Sequence, residues 1–104
     1  MSPLIDKEPT EVIKGEKLPL AVDFGPMLDI ADVISSGEAY LIDEITKTVV
    51  VDTITNIAPG ASQHVNLTLD AETLIPTNTY HLVSFALVGS AKKVGAITVI
   101  LCKE

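Results

Sequence analysis

At 104 residues the chain has room for one domain built around one modest core. Seven Lys, no Arg and fourteen Asp plus Glu give a net charge of −7, so the cationic groups that phosphates demand are lacking, which argues against nucleic acid and anionic membranes as partners. Hydrophobic residues make up 47% and aromatics only 4%, so the core must be aliphatic, and the abundance of Val, Ile and Thr favours pleated sheet over helix.

Residues 1–16 mix charge with Pro3 and Pro9 and carry only isolated hydrophobes, Leu4, Ile5, Val12 and Ile13. Each proline biases the residue before it towards extended geometry. This segment reads as an extended N-terminal arm preceding a domain of residues 17–104, able to wait for a partner before ordering. From Lys17 the pattern changes: Leu18, Leu20, Val22 and Phe24 alternate with smaller or polar residues, the period of a half-buried strand. Pro19 marks it as an edge or bulged strand, and Gly25-Pro26 ends it.

Residues 27–32 suit one short helical turn. Val33-Ile34 and Ala39–Ile42 read as extended segments around Ser35-Ser36-Gly37, and Ile45–Ile54 carries a strong β-branched strand signal. Ala58–Ala61 is a turn. His64–Leu69 alternates cleanly, with Val65, Leu67 and Leu69 on one face, and Asp70 is placed to cap a short turn. Two long runs close the chain, Tyr80–Val88 and Val94–Cys102, joined by a hairpin loop at Gly89–Lys93 and apolar on both faces.

About seven short strands with no convincing helix predict an all-β fold, an Ig-like or fibronectin-like β-sandwich in which each sheet buries one face. The stretch Leu74–Tyr80 resembles the start of the sixth strand in such domains, where a tyrosine hydroxyl anchors a corner. Tyr80 would take that place, or stand as an ordinary half-buried strand tyrosine.

Chemistry-bearing residues are few. His64 and His81 read as solvated strand histidines. Cys102 is the only cysteine, which excludes an internal disulfide, and in a last strand it reads as a small hydrophobe rather than a nucleophile or zinc ligand. Asp23, Asp29, Asp32, Asp43 and Glu44 lack the spacing of a calcium loop, and Asp29 and Asp32 read as turn caps. There is no phosphate loop and no nucleophile elbow. Asn66-Leu67-Thr68 is a sequon by form alone, since no secretory signal precedes it, and the apolar runs fall short of the roughly 18–20 residues of a membrane span. The expectation is a non-enzymatic module without catalytic residue, cofactor or metal, made in a reducing cytoplasm.

Lys7, Pro9 and Glu11, then Val22, Asp23, Phe24 and Leu28, then Asp32, Ile34, Ser35 and Ser36 carry a resemblance to small virion proteins of tailed bacteriophages, of the fibre-tail adaptor type. The likeness covers about thirty residues, and the family's Trp beyond the Asp-x-Ile-x-Ser segment is replaced here by Ala39 and Tyr40. The resemblance implies a virion structural protein made in the host cytoplasm. It implies partners among other phage structural proteins (tail, fibre or capsid subunits), and a homo-oligomeric or multicopy state. Its mechanism would be adhesion, with Leu4, Ile5, Pro9, Val12 and Ile13 of the arm adding to a neighbour's open sheet edge. Capsid cement or decoration is the related alternative, and a cellular protein- or carbohydrate-binding module is the second.

Overall fold

The computed structural model describes the backbone of Leu4–Ile5 and all of residues 9–104, and its described elements are nearly all strand. In chain order these are β1 (Leu4–Ile5), β2 (Thr10–Ile13), β3 (Lys17–Asp23), a 3-10 turn at Gly25–Met27, β4 (Ile34–Asp43), β5 (Val49–Val50), β6 (Ile54–Pro59), β7 (His64–Asp70), β8 (Thr79–Val88) and β9 (Lys92–Lys103). They form two sheets. One has the order β1-β9-β8-β4-β5, with β2 also on β9, and the other the order β3-β7-β6.

The sheets pack as a β-sandwich because their inner faces carry the alternating apolar sets. Val65, Leu67 and Leu69 of β7 are buried against Leu41, Leu82, Ala86, Val94, Ala96 and Ile100 of the larger sheet, with Phe24, Leu74 and Tyr80 closing the ends. The core is aliphatic, as the composition requires. Gly37 lets β4 come close to the opposite sheet, since a Cβ there would lie 2.6 Å from a methyl of the buried Val65.

The predicted strand at 64–69 and the 80–102 hairpin stand where expected, with β8 and β9 antiparallel from Thr79↔Leu101 to Val88↔Lys92. The corner is present too: the Ile75 amide donates to the Tyr80 hydroxyl at 2.9 Å across five residues, and Tyr80 is buried. Ser35–Gly37 does not divide two segments but lies inside one strand, whose register shifts between Ile34 and Ser36.

Two regions differ from expectation. Ile45–Ile54 is not one strand. Asp43 accepts the Ile45 amide at 2.7 Å and closes a tight turn, and Lys47 and Asp52 adopt positive φ, so only Val49–Val50 pairs before the next turn. β-branched composition there is overridden by turn geometry.

The second difference is the arm. Residues 10–13 pair in parallel with β9, Val12 opposite Cys102 and Glu11 opposite Leu101. Val12 is 1% exposed whereas Ile13 is 55% exposed, so Val12 belongs to the chain's own core and is unavailable to a neighbour. Lys14 fastens the segment further, donating to the carbonyls of Glu72 and Leu74 at 3.0 and 2.9 Å. The sandwich therefore begins before Lys17. The backbone of Leu4–Ile5 also runs parallel to β9. The side chains of Leu4 and Ile5, and Lys7 of the family resemblance, lie outside the described residues.

Candidate interaction surface

The two sheets turn different chemistry outwards. Away from the core, β3 and β7 present Lys17, Pro19, Ala21 and Asp23 beside His64, Asn66, Thr68 and Asp70, a polar and small-residue face. The larger sheet presents the reverse. Tyr40 and Ile42 of β4 lie beside Val83 and His81 of β8, which lie in turn beside Ile97 and Val99 of β9. Phe85 and Leu101 extend this row along the strands, and Val49 extends it sideways from Ile42. Among the described residues no second layer lies over this face, where Tyr40 and Val49 are exposed and the other members half-buried.

Gly95 shapes the middle of this face. It sits opposite Phe85, and a Cβ on it would come within 3.0 Å of the Phe85 ring. The missing side chain lets the ring lie across β9. Tyr40 flanks it at a centroid distance of 6.3 Å, and the Lys93 ammonium stands 4.6 Å above it, a cation–π arrangement. Glu38 holds that ammonium at 3.0 Å.

Two further glutamates bordering the face are paired likewise. Glu44 meets Lys47 at 3.1 Å and His81 Nδ1 at 3.0 Å, and Glu11 lies 3.9 Å from Lys103. Partly exposed pairs of this kind add little stability, but they neutralise three carboxylates next to the apolar row on a protein of net charge −7.

The edge strands β3, β6, β5 and β2 are poor templates for strand addition. β3 carries Pro19, which has no amide to offer. β6 is interrupted between Thr55 and Ala58, with Asn56 at φ 55° and Pro59 at its end. β5 is two residues long, and β2 is four residues long and follows the exposed Pro9. Short, bulged and proline-bearing edges are how sheets avoid edge-to-edge pairing.

One pole of the sandwich is built by the loops after β3, β6 and β8. Gln63 donates to the carbonyls of Asp29 and Asp32 at 2.8 and 2.9 Å, Lys92 pairs with Asp32 at 2.9 Å, and the Ser35 hydroxyl donates to Leu87 and Gly89 carbonyls at 3.1 Å each. The Lys92 hydrogen bond, with the Asp29 amide behind it, holds the Asp32 carboxyl below its ordinary pKa, and Asp32 in turn raises that of Lys92. This pole fixes Ile30 fully in solvent.

The residues weighed for catalysis are dispersed. His64 Nδ1 donates to the carbonyls of Ala61 and Ser62, both at 2.9 Å, on the polar face, and His81 is on the opposite sheet with Glu44. Cys102 is buried, and that burial raises its thiol pKa against a smaller opposing effect of Lys14. Asp23 accepts the Gly25 amide at 2.8 Å, Asp32 accepts the Asp29 amide at 3.0 Å, and Asp43 closes the turn after β4. These acids serve turn backbones, and among the described residues no three His, Cys, Asp or Glu gather as a metal site. The groove between Thr77, Asn78 and the C-terminal Leu101–Glu104, about 450 Å³, contains no histidine. No helix among the described residues is long and apolar enough to cross a membrane.

The apolar outer face is the feature that reading along the sequence passes over. Its signal is nevertheless present: β8 and β9 are apolar on both faces, while a two-layer sandwich can bury only one face of each sheet. The second face is therefore surplus to folding. Ile13 joins its border beside Lys103, and Pro9 lies exposed just before β2, so two of the five arm residues stand near it. Comparison with protein-family models, with curated proteins and with solved structures finds no match to this chain.

Proposed function

We propose that the chain is a non-enzymatic structural protein of a tailed-phage virion, of the fibre-tail or neck adaptor type, acting by adhesion through the outer face of its larger sheet. The observation that carries the adhesive part is that face: aliphatic and aromatic, uncovered by any described residue, and flanked by the ion pairs of Glu38, Glu44 and Glu11. Contiguous exposed apolar surface on a small protein marks an interaction site more often than not. The Ig-like assignment draws support from the strand orders β3-β7-β6 and β2-β9-β8-β4-β5 and from the Tyr80 corner.

The phage assignment rests on the resemblance. Its motif residues Val22, Asp23, Phe24, Asp32, Ile34 and Ser35 serve the β3–β4 connection and its pole, where Asp23, Asp32 and Ser35 make the hydrogen bonds described above. In this reading the partners are other virion proteins, the copy number is more than one per particle, and weak contacts sum by multivalency. Quantitative mass spectrometry of purified particles against the major capsid protein tests it. A few to a few dozen copies support the adaptor role, hundreds move the protein to the capsid as cement, and absence from particles overturns the virion reading.

A further inference from the structure

We infer that the outer face of the larger sheet docks against the same face of a second copy of the chain, about a two-fold axis. This rests on the adhesive reading of that face and names its partner.

Charge selects the occupant. The protein carries a net −7, so a basic partner would be the obvious candidate. It would seek acids not already engaged, and the three glutamates that flank the apolar row, Glu38, Glu44 and Glu11, are each held by a cation of the same molecule. Asp23, Asp70 and Glu72 lie on the other sheet and its loops. Two copies can therefore stack the apolar rows of their larger sheets with the flanking glutamates already neutralised and with Asp23, Asp70 and Glu72 on remote surfaces. A two-fold contact makes each patch complementary to itself. Near the axis Val83 and Ile97, direct neighbours across β8 and β9, would meet their own counterparts. Flat aliphatic sheet faces pack in this way inside the sandwich itself.

Area sets the strength. Three strands (β4, β8 and β9) with about eight residues each at about 4.8 Å spacing and about 3.3 Å rise, and the short β2 and β5 alongside them, give a face of about 500 Å² per copy. Stable dimers bury about 800 Å² per partner, so this contact is reversible, forming between micromolar and millimolar concentration. The blunted edges favour a closed pair over a growing sheet.

Sedimentation equilibrium over that range tests the inference. The wild type should move from the single-chain mass of 11.0 kDa to twice that mass. The shift should sharpen as salt rises, because screening weakens the repulsion between like net charges. Ile97→Lys should remain monomeric, and Ala21→Lys, on the outer face of the smaller sheet, should dimerise like the wild type. Amide NMR shifts of the undisturbed wild type on dilution should be confined to β4, β8 and β9, which keeps the test independent of how any variant folds. A wild type that stays monomeric at millimolar concentration, or shifts confined to the smaller sheet, overturns the inference. Incorporation into particles separates the two readings. If the wild type is monomeric but a folded Ile97→Lys variant is lost from virions while Ala21→Lys is retained, the face is adhesive with a different partner. If both variants are incorporated normally, the adhesive reading falls as well.

Discussion

Replacing Val12 by Ala asks whether residues 10–13 belong to the domain or hang from it. Val12 faces inwards opposite Cys102, and is 1% exposed. Removing its two methyl carbons and leaving the Ala methyl forfeits about 1.6 kcal/mol of transfer free energy at about 0.8 kcal/mol per buried carbon. The void left against the core raises the loss to about 2 kcal/mol. For a domain of this size that corresponds to a fall in Tm of about 8–16 °C. The neighbouring Ile13, with its side chain outwards and 55% exposed, is the internal control: Ile13→Ala should change stability by no more than about 0.5 kcal/mol. Urea and thermal unfolding followed by far-UV circular dichroism read both, and the urea slope should stay constant while the midpoint moves. If both variants unfold with the wild type, β2 is not docked in solution, and the segment is the free arm that its composition suggests.

Three further outcomes follow from the geometry. Tyr80→Phe removes the acceptor of the Ile75 amide and should cost about 1–2 kcal/mol in urea unfolding; an unchanged midpoint would take the hydroxyl out of the corner. Gly37→Ala drives a methyl into Val65 and should destabilise by about 1–3 kcal/mol through overpacking, so a neutral result would mean that the sheets are less closely apposed than described. For Asp32, the pKa lowered by Lys92 makes its contribution to stability full above the unfolded carboxylate value and lost as pH falls through the lowered folded value. Lys92, with its pKa raised, contributes below the unfolded lysine value and loses that contribution as pH rises through the folded one. The stability difference between wild type and Asp32→Asn should therefore be flat around neutrality and vanish in acid, and a difference persisting at low pH would show that the pair is not its source.

Much of the fold was legible because local pattern and burial agree. Val65, Leu67 and Leu69 alternate and all three are buried, and the Gly89–Lys93 loop separates two runs too apolar to be anything but paired strands. Ile45–Ile54 misleads because β-branched residues mark a strand only where a partner is available. There the Asp43 turn and the positive φ at Lys47 and Asp52 leave Val49 and Val51 exposed on a short flap. The β2 pairing is unreadable for a different reason. Its single buried residue, Val12, sits between Glu11 and Ile13, and one inward position sets no period. A parallel partner some ninety positions along the chain leaves no local trace. At the candidate site the individual residues were visible, yet their grouping depends on register: Tyr40, Val83 and Ile97 form a row only because β4, β8 and β9 are aligned as they are.

The edges and the outer face also bear on each other. A module that worked by strand exchange would need an open edge with free amides, and Pro19, Pro59 and the bulge at Asn56 remove or disturb them on both sides of the smaller sheet. Exposed aliphatic surface invites aggregation, so a polar outer face, as on the smaller sheet, is the arrangement expected of a sheet that meets only solvent. Among the described residues, β3 and β6 are disturbed as templates and the outer face of the larger sheet is apolar. Edges are protected where pairing would be unlimited, whereas apolar area is retained where packing is face to face and ends with two layers. Gly95 fits the same logic: with a side chain there, Phe85 would be lifted off β9 and the face would be ridged. An unridged face is what the proposed face-to-face pairing requires.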